Sequence, residues 1–218
     1  MSIMELTQFD PNYNKELFEN NIIGFCKKSI GKGQEEECFL GTDSYVYKII
    51  RTHVKESLTA DSIITSDMVE STHFVFPNIV YTINGEIVGT QTNYIPLIDK
   101  TSSFEELEPK FIKALLSFTN ELEELTKRGF IAIDFSDNFI FDGETLYKID
   151  TTNHAFDNGT KPISYLMVWN FTGLLKGLRE TLGENVTPAI EDAFNFISEE
   201  YIDSNLMKMA EEKIKSRN

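Results

Sequence analysis

Cysteine and histidine are scarce in this 218-residue chain. Cys26 and Cys38 are the only cysteines, and His53, His73 and His154 are scattered. Nothing among them has the spacing of a zinc site. Two cysteines allow one disulfide at most, and they read as reduced thiols. Positive charge is also short: 20 Lys and Arg stand against 35 Asp and Glu, a formal net charge of −15. Such a surface repels a nucleic-acid backbone and argues against DNA or RNA as a general partner. A local basic cluster at Lys27, Lys28 and Lys32 is the exception. No apolar run approaches the roughly 20 residues of a membrane helix. Met1 to Asn14 is polar and acidic, unlike a signal peptide, so the expected location is the cytoplasm. The Asn-X-Thr triplets at Asn158, Asn170 and Asn185 then read as chance matches. No internal repeat or low-complexity segment stands out.

Apolar residues are plentiful. A 41% hydrophobic content supports a sizeable core and excludes a disordered chain. Residues 1–20 read as an extension with a short helix near Asn14–Asn20, and Asn21–Lys28 as a strand. Ser29–Glu36 reads as a turn containing Gly31-Lys32-Gly33. Glu37–Leu40 and Ser44–Arg51 form a hairpin around Gly41-Thr42-Asp43. Residues 55–70 show near-helical spacing. Phe74–Ile83 and Glu86–Thr92 form a second hairpin through Asn84-Gly85. A connector with Pro96 leads to the longest helical pattern, Phe104–Arg128. Its stripe is Phe111, Leu115, Phe118, Leu122 and Leu125, with Pro109 in the first turn of the main segment and Gly129 after the end. Ile163–Leu182 and Thr187–Ser216 read as helices broken at Gly183-Glu184-Asn185. Trp169, Phe171, Phe194 and Phe196 are expected to close the core. Strands followed by helices argue for an α+β fold in two lobes. The expected division is a sheet lobe over 1–92, a connector over 93–103 and a mostly helical lobe over 104–218.

The densest concentration of chemistry is Gly129 to Thr152, GFIAIDFSDNFIFDGETLYKIDTT. Apolar runs flank Asp142-Gly143, which signals a β-hairpin. Asn138 then stands at the start of the first strand and Asp150 at the end of the second. A hairpin brings its two ends together, so an amide oxygen and a carboxylate converge. Hard oxygen ligands of this kind suit Mg²⁺ with a bound phosphate. Asp134 precedes the hairpin and is a candidate for orienting an acceptor hydroxyl. Lys48 lies inside the apolar strand 45–50, on one face with Val46 and Ile50, where a lysine usually has a partner. Each residue also has a plainer reading. Lys48 suits an edge or snorkelling position, Asp134 and Asn138 suit turns, and Asp150 suits a cap for Thr151-Thr152.

The order of these features resembles the protein-kinase-like superfamily, which includes small-molecule kinases of the aminoglycoside phosphotransferase type. The resemblance spans Ile22 to His154 and is nearer to the atypical bacterial and phage-type members than to the eukaryotic protein kinases. VYKI at 46–49 looks like the strand bearing the ATP lysine, which implies that Lys48 holds phosphates. Asn93, Tyr94 and Ile95, followed by Pro96, look like the hinge whose backbone holds adenine. DFSDNFIF at 134–141 is similar to the catalytic loop, implying Asp134 as the catalytic base that orients the acceptor hydroxyl and Asn138 as a metal ligand. IDTT at 149–152 looks like the metal-binding strand end, implying that Asp150 binds Mg²⁺. Gly31 and Gly33 stand where a phosphate-covering loop belongs, although two glycines in a turn need no phosphate to explain them. The lysine-pairing acid is Asp67, Glu70 or Glu56, with Asp67 best placed. The implied cofactors are ATP and Mg²⁺, and the implied partner is a protein or small-molecule phosphoacceptor.

The chain departs from the family pattern. Asp134 and Asn138 are four positions apart where the usual loop has five. Ala132-Ile133 replace the usual His-Arg or His-Gly, and Thr151-Thr152 replace Phe-Gly. Only 68 residues follow Asp150, little room for a peptide-docking platform. Three functions are therefore in competition: an ATP-dependent phosphotransferase, a pseudokinase serving as a nucleotide-binding or regulatory module, and an unrelated α+β interaction protein.

Overall fold

A computed structural model describes residues 3–32, 36–50, 59–98, 104–136 and 138–202. The fold is mixed, with a six-stranded sheet and four α-helices among the described residues. The chain divides into two compact units, Met1–Ile95 and Pro96–Asn218. Among the described residues, no helix is long and apolar enough to cross a membrane. Both cysteines are free thiols.

The first unit holds β1 (Ile3–Glu5), α1 (Lys15–Phe25), β2 (Cys26–Lys32), β3 (Glu36–Gly41), β4 (Tyr45–Ile50), β5 (Ile79–Ile83) and β6 (Glu86–Asn93). The strand order is β1-β5-β6-β4-β3-β2. All pairings are antiparallel except β1 with β5. Asn14 caps α1 through Leu17 N, and Phe18 and Ile22 turn inward one helical turn apart. They pack with Phe39, Tyr47, Ile49 and Val88 of the sheet. Gly89 makes this possible, because a Cβ there would stand 2.8 Å from the Phe18 ring. The β5–β6 turn at Asn84-Gly85 has φ of +53° and +80°, the type I′ signature that Asn-Gly favours.

Three sequence expectations change in this unit. The strand expected from Asn21 begins at Cys26, because burial of Phe18 and Ile22 extends the helix to Phe25. The turn expected over 29–36 is strand through Lys32, and residues 33–35 lie outside the described region. The helix expected over 55–70 is not an α-helix where the chain is described, from residue 59 onward. A 3₁₀ turn at Ala60–Ser62 is followed by turns. Thr59 and Ser62 cap each other, and Thr65 Oγ1 donates to Asp67 Oδ1 at 2.6 Å. Such local side-chain bonds compete with helical ones.

The second unit holds α2 (Phe104–Lys127), β7 (Phe130–Ile131), β8 (Phe139–Phe141), β9 (Leu146–Lys148), β10 (Ala155–Phe156), α3 (Ile163–Leu182) and α4 (Pro188–Tyr201). The whole expected stripe of α2 is buried. Phe111 and Phe118 meet Phe141 and Phe139 edge-on, seating β8 on the helix. Pro109 lies within α2 rather than at its start. Thr187 caps α4, with Pro188 in the first turn. The helix ends at Tyr201, and 203–218 lie outside the described residues. Phe171 and Phe194 are fully buried, as a core role requires. Trp169 and Phe196 are 51% and 55% exposed, contrary to the core role expected of them. Trp169 directly precedes the inward-facing Asn170-Phe171 on α3, and its indole N–H donates to the carbonyl of the buried Ala132.

Candidate functional site

The hairpin of β8 and β9 sets the geometry of the second unit. Phe139 pairs with Lys148, Ile140 with Tyr147 and Phe141 with Leu146. Beyond the last pair, Ile149 N donates to the Asn138 carbonyl at 2.9 Å. Asn138 and Asp150 therefore emerge from the same end of the ribbon. The opposite end is closed by Asp142, whose Oδ1 accepts from Glu144 N and Thr145 N, while Gly143 takes a φ of +100°.

Asp134 lies on the loop between β7 and β8, and it is exposed. Asp134 and Asp150 both have φ of +55°. The other described non-glycine residues with positive φ are Ser44 and Asn84, which sit in hairpin turns. Aspartate tolerates the left-handed region better than most residues, but occupying it costs energy, so it persists where neighbours hold it.

The neighbours come from α3. Asn170, fully buried, accepts from Ala132 N at 2.9 Å through Oδ1 and donates to Phe130 O and Thr126 Oγ1, both at 2.8 Å. Trp169 Nε1 donates to Ala132 O at 3.3 Å. Phe135 lies against Gly173 and Gly177, where a Cβ on Gly177 would stand 2.5 Å from the Phe135 carbonyl oxygen. Ser136 Oγ donates to Glu180 Oε2 at 2.6 Å. Residues 169–170, 173, 177 and 180 recur every three or four positions, so one face of α3 grips residues 132–136 from end to end.

A second clamp comes from the segment after Asp150. β10 pairs with β7, with Ala155 opposite Ile131. His154, buried beside the Phe130 ring, accepts from Ile133 N through Nδ1 at 3.2 Å. Burial pushes its pKa down to about 3; the Lys148 charge pushes the same way and Asp150 opposes it. Lys148 is itself completely buried, and its ammonium donates to Ile149 O at 2.8 Å. Asp150 Oδ1 accepts from Thr152 Oγ1 at 3.3 Å.

Sequence reasoning missed Asn170, His154, Lys148 and the Gly173–Gly177 groove. Asn170 carried one readable signal. It is a lone polar residue in register with Leu166, Leu174 and Gly177, all of them buried.

In the first unit, Lys48 is buried on β4 opposite Cys38 and Thr90, and its ammonium pairs with Glu36 Oε1 at 2.9 Å. Glu36, on the neighbouring strand, was not among the acids considered from sequence. Asp67 and Glu70 are exposed residues of the turn region, and Glu56 lies outside the described residues. Gly31 is a strand residue opposite Cys38, just after a register shift at Ser29/Gly31, and Gly33 lies outside the described residues. Asn93 ends β6 and accepts from Asn78 Nδ2 at 2.9 Å; Tyr94 and Ile95 follow it, half-buried.

The side chains at the hairpin mouth, Asn138 and Asp150, carry hard oxygen donors of the class Mg²⁺ takes. Among the described residues, no group of three or more His, Cys, Asp or Glu is placed to hold a metal by itself. One carboxylate and one amide oxygen form the sparse set that Mg²⁺ accepts when substrate phosphates and water complete its shell.

No protein-family model matches the chain, and no curated protein matches it significantly. Among solved structures, the chain is similar to a Legionella pneumophila kinase, Lpg2603, determined with IP6 bound. The two are 20% identical, the match covers 88% of this chain and 67% of that one, and the TM-score is 0.48.

Proposed function

We propose that this chain is an ATP-dependent phosphotransferase of the protein-kinase-like superfamily. The observation that carries the reading is the joint arrangement in the second unit. Asn138 and Asp150 share one ribbon end, and Asp134 and Asp150 hold the same left-handed backbone. Phosphoryl transfer asks a protein mainly for positioning and electrostatic stabilisation, so rigid placement of a few polar groups is what it requires. Asn138 and Asp150 would hold Mg²⁺, which when bound neutralises phosphate charge. Lys48, in the first unit, would hold ATP phosphates, and the backbone of Asn93, Tyr94 and Ile95 would hold the base. Gly31 and Gly33 would cover the phosphates. Asp134 would orient the acceptor hydroxyl of a protein or small molecule and receive its proton.

The Asp134–Asn138 interval, four positions where the family loop has five, favours a second reading, because it displaces the carboxylate from the attacking hydroxyl. In that case the chain binds nucleotide as a regulatory module without transferring phosphate. Thermal unfolding with ATP, with and without Mg²⁺, combined with turnover of γ-labelled ATP, separates the two. A ligand that binds only the folded chain at 100 times its Kd stabilises it by about 2.7 kcal/mol. Mg²⁺-dependent stabilisation with turnover supports transfer, and stabilisation without turnover supports the module. Indifference to nucleotide contradicts both.

A further inference from the structure

The two amides leading into Asp134 are not held by sheet or helix bonds. Ala132 N is taken by Asn170 from α3, and Ile133 N by His154 from the turn between Asp150 and β10. The second bond joins the two predicted functional segments directly, since His154 lies four residues after Asp150 and Ile133 one residue before Asp134.

We propose that His154 is a positioning residue, whose Nδ1 fixes the Ile133 amide and so locks Asp134 at the angle phosphoryl transfer needs. The role rests on the phosphotransferase reading. Its geometry has three supports. Nδ1 must be an acceptor, so the ring is neutral with its proton on Nε2. The ring is fixed edge-on to Phe130, at a centroid distance of 5.4 Å. The β10–β7 pairing on its C-terminal side keeps the backbone in place, with Ala155 opposite Ile131 and Phe156 opposite Phe130. Without the bond, the Ile133 amide loses its acceptor, and the Ala132–Ile133 peptide, one removed from Asp134, is left with the Trp169 bond to its carbonyl.

Two variants test the role. His154→Asn keeps an acceptor oxygen near the Nδ1 position, and His154→Leu removes it. Mg²⁺-dependent hydrolysis of γ-labelled ATP is measured for both, beside hydrogen exchange at the Ile133 amide and thermal unfolding. The expected result for folded His154→Leu is a roughly 100-fold fall in kcat with KM for ATP unchanged, the scale of an approximately 1 Å misplacement. Ile133 protection should be lost in that variant, and His154→Asn should restore both. Wild-type turnover in folded His154→Leu overturns the role. Should that variant fail to fold, the wild type and His154→Asn decide. An unprotected Ile133 amide in the wild type overturns the role, as does His154→Asn with protection kept and kcat lost. A wild type with Ile133 protected but no turnover removes the phosphotransferase reading, and with it the catalytic consequence of the clamp, while the clamp itself stands.

Discussion

Asn170 shows at the scale of one residue why amide chemistry matters at this site. It accepts from one backbone group and donates to two other oxygens. A carboxylate can do only the first. Asn170→Asp should therefore turn an oxygen onto the Phe130 carbonyl and destabilise the fold by at least about 1–3 kcal/mol, read as a lower urea midpoint. An unchanged midpoint would show that Asn170 is not the clamp. His154 gives a pH signature with a definite sign. Its folded pKa is pushed from 6.5 down to about 3, so on acidification the unfolded chain takes up the proton first. Stability should fall as pH drops from about 6.5 towards 3, and His154→Asn should flatten that slope. Neither residue was legible as functional. Asn170 sits in an Asn-X-Thr triplet that reads as chance, and His154 has no metal-type spacing to mark it.

Among the elements, those with local signals were legible and those fixed by long-range packing were not. The β8–β9 hairpin follows from Asp-Gly between apolar runs, and the α2 stripe from its period. The bounds of α3 follow from an apolar run ending at Gly183. The extension of α1 to Phe25 and the turns after residue 59 depend on burial and on side-chain bonds that a periodicity cannot show. The grip of α3 on the Asp134 loop was equally hidden, because its two glycines mean nothing until Phe135 is seen against them. Gly177→Ala tests that grip. Helix propensity favours alanine by about 1 kcal/mol, yet the new Cβ would press on the Phe135 backbone, and overpacking costs about 1–3 kcal/mol. The expected outcome is a lower melting temperature together with loss of ATP turnover; a gain in both would refute the contact. Glu5 ties β1 to the turn between β5 and β6. It accepts from Asn84 N and Gly85 N, at 3.0 and 2.9 Å, and from the Thr7 hydroxyl and amide. The Thr7 hydroxyl bond, then the Gly85 amide, pull its pKa from 4.5 to about 2. Its contribution is complete above about 4.5 and fades as pH falls towards 2. Glu5→Gln should therefore lose stability at neutral pH and show less acid sensitivity across that window.

For the whole molecule, a net charge of −15 argues against nucleic acid as a general partner, and the proposed function is that of a phosphotransferase. The most direct test is transfer or release of the γ-phosphate from labelled ATP in Mg²⁺, comparing the wild type with Asp150→Asn. Asparagine tolerates the φ of +55° that Asp150 holds, so the variant should fold and melt near the wild type. The expected result is Mg²⁺-dependent turnover in the wild type and none above background in the variant. Equal turnover in both proteins, or none in either, would contradict the assignment of Asp150 to a working phosphotransfer site.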